Sequence, residues 1–140
     1  MGELIIMLGT EDEKNIYKGH PGNSSYFMIY SLKSNGEIKL LRKVKNEAKD
    51  FEREGEHGSK EKLKKVLELV GKIDIVLSKR NSPNLLRMAA KTEIQPVIIG
   101  WIDSIEEGLN LILEKFDEIY SLSQARKEGK RPDVLIIKKN

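Results

Sequence analysis

The chain has no cysteine among its 140 residues, and this absence excludes several kinds of protein. Without thiols it has no disulfide framework, no thiolate nucleophile and no cysteine ligand of its own for a metal. Any metal ligand must be a histidine or an oxygen atom, and only two histidines are present. Metal chemistry therefore has few candidate side chains in this sequence.

Long apolar runs are also missing. The longest are Leu4 to Leu8 and Val134 to Ile137, far short of the roughly 20 residues that a membrane helix needs. No basic segment precedes the first run, so the sequence does not predict a signal peptide. We therefore expect a cytoplasmic protein without a membrane segment.

The charge surplus is small, with 25 Lys and Arg against 22 Asp and Glu, a formal net charge of +3. No basic stripe is interleaved with aromatic residues, so we expect no specific binding of nucleic acid. Most charges alternate in sign along predicted helices, as in Glu61, Lys62, Lys64, Lys65 and Glu68, which is typical of solvated helix faces.

The usual fingerprints of enzymes are absent as well. Gly58-Ser59-Lys60 lacks the upstream glycine of a P-loop, and no Gly-x-Gly-x-x-Gly or Gly-x-Ser-x-Gly occurs. A two-metal nuclease needs several carboxylates that converge from strands. The first predicted strand offers only Glu3 at its start, and Asp74 is the only acid in the fourth. We therefore expect a protein that is not an enzyme.

Continuously apolar segments predict strands that are buried on both faces. Leu4 to Leu8, Ile73 to Leu77 and Val97 to Ile99 have this pattern, and we expect them to be adjacent in one sheet. The Asn35-Gly36 pair predicts a tight antiparallel hairpin between the segments Tyr26 to Tyr30 and Glu37 to Val44.

Helices are predicted between these strands. Leu63 to Val70 has helical apolar spacing, and Ser82-Pro83 is typical of a helix start, with serine as the cap. The apolar stripe from Ile105 to Ile119 predicts one long helix. The charged segment Lys45 to Gly58 predicts a mobile connection, and Val134 to Ile137 a last strand whose partner the sequence does not identify. The resulting order, β-β-β-α-β-α-β-α plus a C-terminal strand, predicts a three-layer α/β domain with a mixed sheet that resembles the ribonuclease-H-like fold.

Ligands of open α/β sheets bind at the carboxyl ends of the parallel strands, where helix N-termini favour anions. The loop after the fourth strand places Lys79 and Arg80 just before such a helix start, followed by Asn81 and Ser82. Both histidines, His20 and His57, are flanked by glycine in predicted loops. Two readings stay open: capped helices with solvated basic residues and surface histidines, or a binding site for an anion or a metal. Two histidines do not complete a closed zinc site, which takes four ligands.

The chain resembles the dinitrogenase iron-molybdenum cofactor biosynthesis family over about Leu4 to Glu114. The resemblance depends on the order and spacing of several short motifs, while Pro21, Ser82 and Trp101 depart from the residues that the family usually carries. The motifs are Gly19-His20-Pro21-Gly22 with Tyr26 to Tyr30, His57-Gly58, Lys79 to Asn84, Val97 to Gly100 and Ser104 to Glu107.

This resemblance implies a domain at residues 1–115 that binds an iron-molybdenum or iron-sulfur cluster and delivers it to a partner protein, a donor or acceptor of the cluster. Residues 116–140 are then a C-terminal extension of the same domain. The implied site has His20 and His57 as metal ligands, and Lys79, Arg80, Asn81 and Ser82 as groups that neutralise a polyanion. The alternative is a non-metal module that binds an anionic metabolite or a protein partner through the same loops.

Overall fold

The computed structural model describes residues 2–49 and 60–139 of the chain. The strands are β1 (Glu3–Thr10), β2 (Tyr26–Lys33), β3 (Ile38–Lys45), β4 (Ile75–Ser78), β5 (Gln95–Ile98) and β6 (Leu135–Ile136). The α-helices are α1 (Lys60–Val70), α2 (Pro83–Lys91), α3 (Ile105–Glu114) and α4 (Phe116–Lys127), and a 3₁₀ turn spans Pro21–Asn23.

The strands form one six-stranded mixed sheet in the order β3-β2-β1-β4-β5-β6. β2 is antiparallel to both β1 and β3, whereas β4, β5 and β6 continue the sheet in parallel with β1. The predicted adjacency of the three continuously apolar strands is confirmed, because β1, β4 and β5 are neighbours. The last strand, whose partner is not predictable from the sequence, pairs with β5 at one edge of the sheet.

The predicted hairpin is present between β2 and β3. The amide of Lys33 donates to the carbonyl of Glu37 at 2.9 Å, and Gly36 has a φ of +96°. Glycine adopts this left-handed conformation without the steric cost that a side chain brings, so Asn35-Gly36 fixes the turn.

Two hydrophobic cores lie on opposite faces of the sheet and create the three layers. On one face the apolar stripes of α3 and α4 pack on residues such as Leu8 and Leu77. On the other face α1 and α2 pack on residues such as Met7 and Phe27. Because β1 and β4 are covered on both sides, their sequences are continuously apolar rather than alternating.

The Ile105 to Ile119 stripe predicts a single long helix, and this prediction is wrong. The structure has two helices that meet at Lys115. Lys115 has φ −107° and ψ 22°, outside the helical range, and its amide is shared between the carbonyls of Leu111 and Ile112 at 3.1 and 3.2 Å. Phe116 and Ile119 are nevertheless buried. Apolar periodicity therefore continues through the break, because it records which residues are buried and not whether the backbone hydrogen bonds continue.

In the two described ranges no helix has the length and apolar character needed to cross a membrane. Most of the predicted mobile connection, Lys45 to Gly58, lies outside the described residues, because the first described range ends at residue 49.

Candidate functional site

A small cavity of about 40 Å³ lies between the 3₁₀ turn, α1 and α2, close to the C-terminal end of β1. Its walls are mostly apolar, and polar side chains from three different elements contribute to them. The lining residues are Met7, His20, Pro21, Gly22, Asn23, Lys62, Leu63, Val66, Ser82, Asn84, Leu85 and Met88.

The loop that carries His20 is held by several hydrogen bonds. The carbonyl of His20 accepts from the amide of Asn23 at 2.9 Å, which closes the 3₁₀ turn. The side-chain amide of Asn46 donates to the carbonyls of Gly22 and Ser24 at 2.9 and 2.7 Å. His20 itself is partly buried. His20 therefore lines the cavity from a loop that several hydrogen bonds hold in place.

Close approach of β1 to this loop depends on Gly9. A Cβ atom at Gly9 would collide with the side chain of Ser24, whose hydroxyl donates to the carbonyl of Pro21 at 2.8 Å. The last residues of β1 therefore fix the backbone position of the histidine loop.

Lys62 is buried at this cavity, whereas the alternating charges of α1 predict that it is solvated, so that prediction is wrong. Only 3% of the residue is exposed, and its ammonium group donates to the side chain of Asn23 and to the carbonyl of Lys49. The sequence contains a signal for this burial, since Lys62 is four and eight residues before the buried Val66 and Val70 and lies on the same helix face. Alternating charge along α1 obscured that periodicity.

α2 begins at the cavity as the sequence predicts. Ser82 is the N-cap, its hydroxyl oxygen accepts from the amide of Leu85 at 3.2 Å, and Pro83 occupies the first helical position. Asn84 follows in the first turn and lines the cavity. The partial positive charge of this helix start is thus adjacent to the polar part of the cavity wall.

Three other predicted site residues are in the same loop but do not line the cavity. Lys79 extends to the loop after β5 and forms an ion pair with Asp103, a hydrogen bond that lowers the pKa of that carboxyl group. Arg80 is exposed, and Asn81 uses its side-chain oxygen to accept from the amide of Ser82 at 2.8 Å. The structure therefore brings His20 together with Ser82 and not with Arg80. His57, the second predicted ligand, lies outside the described residues.

The charged residue in the described lining of the cavity is a cation. None of its lining residues in the described part of the chain is acidic, whereas Lys62 supplies a positive charge. Within residues 2–49 and 60–139, no three His, Asp or Glu side chains are grouped as a metal site would require. Of the described lining residues, His20 alone carries an imidazole that a metal bound here could use.

Comparison with protein families matches residues 2–115 to the family described as dinitrogenase iron-molybdenum cofactor. Comparison with curated proteins and with solved structures produced no match. The match ends at residue 115, where α3 is followed by α4.

Proposed function

The chain belongs to the dinitrogenase iron-molybdenum cofactor family, and from this membership we propose that it binds an iron-molybdenum or iron-sulfur cluster and carries it to a partner protein. The observation that supports the proposal most is the cavity beside His20, which has a buried lysine and no acidic residue in its described lining. The cluster is cargo in this proposal, and no catalytic step is part of it.

The size of the cavity limits how cargo is held. A volume of about 40 Å³ accommodates about three water molecules, at roughly 10–15 Å³ for each. A metal cluster is larger, so the proposal places it across the mouth, with His20 as a ligand, rather than inside. A ligand held at the surface by few protein atoms is released readily, which suits a carrier.

Positive charge is the second component of the proposed site. Iron-sulfur and iron-molybdenum clusters are anionic, and the proposal assigns their attraction to the start of α2 together with the ammonium group of Lys62. The exposed Arg80 is outside the cavity lining. Its contribution in this proposal is long-range attraction that decreases as salt concentration rises.

The main experiment measures anaerobic uptake of a synthetic four-iron four-sulfur cluster and of isolated iron-molybdenum cofactor by the full chain. Iron and molybdenum are quantified after gel filtration for the parent, His20→Ala, His57→Ala and the double variant. We expect the double variant to lose about nine-tenths or more of the bound metal. Its melting temperature should stay within a few degrees, because His20 is partly exposed and the sequence predicts that His57 lies in a loop, where substitutions cost little stability.

Lys62→Met and Lys65→Met form a matched pair, since both lysines are on α1 but only Lys62 is buried at the cavity. We expect the first substitution to weaken cluster binding about tenfold or more and the second to leave it unchanged. Metal uptake by the double histidine variant equal to that of the parent would eliminate the ligand role.

The alternative, a module that binds an anionic metabolite, is supported by the same acid-free lining. Calorimetric titration with inorganic phosphate and pyrophosphate separates the two functions. The metabolite function would be favoured if the chain takes up no cluster but binds these anions, and if that binding requires Lys62 and not the histidines.

A further inference from the structure

β3 forms one edge of the sheet, and in the described part of the chain β2 is the only strand that pairs with it. Seven of its eight residues are exposed. An edge strand of this length has a row of backbone amide and carbonyl groups that point away from the sheet and are available for pairing with another strand.

The charge of this strand is strongly one-sided. β3 contains Lys39, Arg42, Lys43 and Lys45 and no acidic residue, so it carries +4 in a chain whose formal net charge is +3. Lys43 is paired with Glu13 at 2.8 Å, and Arg42 donates to the carbonyl of Val70. Lys39 and Lys45 are exposed, and neither forms an ion pair with another described residue. Within the described part of the chain, both ends of the strand therefore carry positive charge without an acidic partner.

β3 also carries exposed apolar side chains next to these cations. Ile38, Leu40 and Leu41 are 38%, 48% and 42% exposed, and they are three of the six large apolar residues exposed on the described surface. Beside them an open groove of about 590 Å³ separates the face of β2 and β3 from α3. Its apolar wall residues include Tyr30, Ile38 and Leu109, and its charged wall residues are Glu13, Lys14 and Glu106. Side chains of an added strand would find apolar contacts here in addition to the backbone groups.

We propose that the β3 edge binds an extended acidic segment of a partner protein, which adds to the sheet as a further strand. Backbone hydrogen bonds supply affinity in this binding mode, while side chains at alternate positions supply specificity. Acidic residues of the segment would face Lys39 and Lys45, and its apolar residues would contact Ile38 and Leu40. This inference does not depend on the proposed cluster site, which is between the 3₁₀ turn, α1 and α2.

Two other occupants fit the strand less well. A second copy of the chain would bring two strands of charge +4 together, and like charges across a strand pair are destabilising. Nucleic acid would need stacking platforms, but β3 has no aromatic residue, and the ring of the neighbouring Tyr26 is covered by the ammonium group of Lys43 at 4.3 Å. Edge lysines also protect sheets from unwanted pairing. If this is the only role of the β3 lysines, no acidic strand would bind.

The test uses a capped peptide as long as β3, with valine at the positions opposite Ile38 and Leu40 and glutamate at the others, including those opposite Lys39 and Lys45. It is titrated into the full isotope-labelled chain. We expect amide resonances of β3 and β2 to shift. Lys39→Glu combined with Lys45→Glu should weaken binding about tenfold or more, because two attractions become repulsions. The matched control, Lys138→Glu with Lys139→Glu, makes the same charge change just beyond β6 at the opposite edge of the sheet and should leave the affinity within about twofold.

Backbone pairing is tested separately from charge with two N-methylated peptides. Each is methylated at alternate residues in one of the two registers, so only one of them blocks the amides that face β3. We expect one methylated peptide to lose binding and the other to keep it. Three results would overturn the proposal. The two methylated peptides could bind equally well, or the β3 charge variant and its control could weaken binding equally. A duplex DNA oligonucleotide could also bind more tightly than the peptide at physiological salt. Concentration-dependent dimerisation that Ile38→Lys abolishes would overturn it as well.

Discussion

At the scale of single residues, Asp12 organises the loop after β1. Its carboxylate accepts from the amides of Asn15 and Lys14 at 2.8 and 2.9 Å, and from the side chain of Asn15 at 2.9 Å. Glu13, the next residue, has a φ of +65°, a left-handed conformation that is rare for residues with a side chain. The loop then leads to Asn15, which pairs with Ser104 before α3.

These hydrogen bonds, first those from Asn15 and then that from Lys14, hold the pKa of Asp12 well below its ordinary value of 3.8. A carboxyl whose pKa is lower in the folded state contributes stability above its unfolded pKa and loses that contribution as pH falls through the folded value. We expect the carboxyl carbon resonance of Asp12 to titrate below the ordinary range. Asp12→Asn should lower the melting temperature at neutral pH, with a difference that shrinks under strong acid. Titration of Asp12 at or above pH 4 would contradict this prediction.

At the scale of elements, α3 approaches the sheet closely because Gly108 is on its inner face. A Cβ atom at this position would lie 2.9 Å from the Cδ1 atom of Ile16 and 3.2 Å from that of Ile99. Real Cβ atoms essentially never lie within 3.0 Å of another atom, as this one would to Ile16, and 3.2 Å is tighter than most real contacts. A side chain here would therefore push α3 away from the sheet. Helix propensity alone disfavours glycine at an interior position, and close packing explains its presence.

Gly108→Val should therefore lower the free energy of unfolding by about 2–3 kcal/mol through overpacking. Asn110→Val is the matched control, because Asn110 is exposed on the same helix and the substitution introduces the same β-branched side chain. We expect the control to cost below about 1 kcal/mol. Urea denaturation at neutral pH measures both, and equal effects of the two substitutions would show that packing at Gly108 is not tight.

At the scale of the whole molecule, Arg126 connects the extension beyond residue 115 to the rest of the fold. Its side chain is fully buried, with an exposure of 0%, and burial lowers its pKa. The guanidinium group donates to the side chain of Gln95 at 2.7 Å and to the carbonyls of Ala89 and Thr92 at 3.0 and 2.9 Å. It also donates to the carbonyl of Pro132. One side chain of α4 thus holds the end of α2, the start of β5 and the segment before β6.

Arg126→Met should destabilise the protein by about 3 kcal/mol or more, because several buried acceptors lose their donor at once. Lys130→Met, which removes an exposed cation from the same segment, is expected to change stability by less than about 0.5 kcal/mol. Urea unfolding followed by far-ultraviolet circular dichroism measures both. Hydrogen exchange should show faster exchange in β6 of the Arg126 variant, and unchanged exchange there would disprove the connecting role.

Trp101 joins the extension to the family domain from the other side. It stands where the resembled family usually has glycine, and its indole nitrogen donates to the carbonyl of Ile137 at 2.9 Å, just after β6. The departure at position 101 and the added residues after 115 are therefore structurally linked. This contact also fixes a partly exposed aromatic ring at the carboxyl end of β5.

Local patterns in the sequence were sufficient for most of the fold. The apolar runs of β1, β4 and β5, the Asn35-Gly36 turn and the Ser82-Pro83 helix start each act over a few neighbouring residues, where steric and hydrogen-bond preferences are strong. The break at Lys115 was not predictable in this way, because the apolar stripe is the same for one helix or for two. The position of β6 beside β5 was equally open, since a short apolar strand fits either edge of a sheet.

For the candidate site, the sequence by itself determined which side chains are available: two histidines, no cysteine, and a capped helix start after Lys79 and Arg80. Only the tertiary structure decided which of them meet. It buries Lys62 beside the loop of His20, directs Lys79 to Asp103, and leaves Arg80 outside the cavity. Sequence spacing fixes the face of a helix on which a residue lies, whereas the partner of that face depends on long-range packing of segments far apart in the chain.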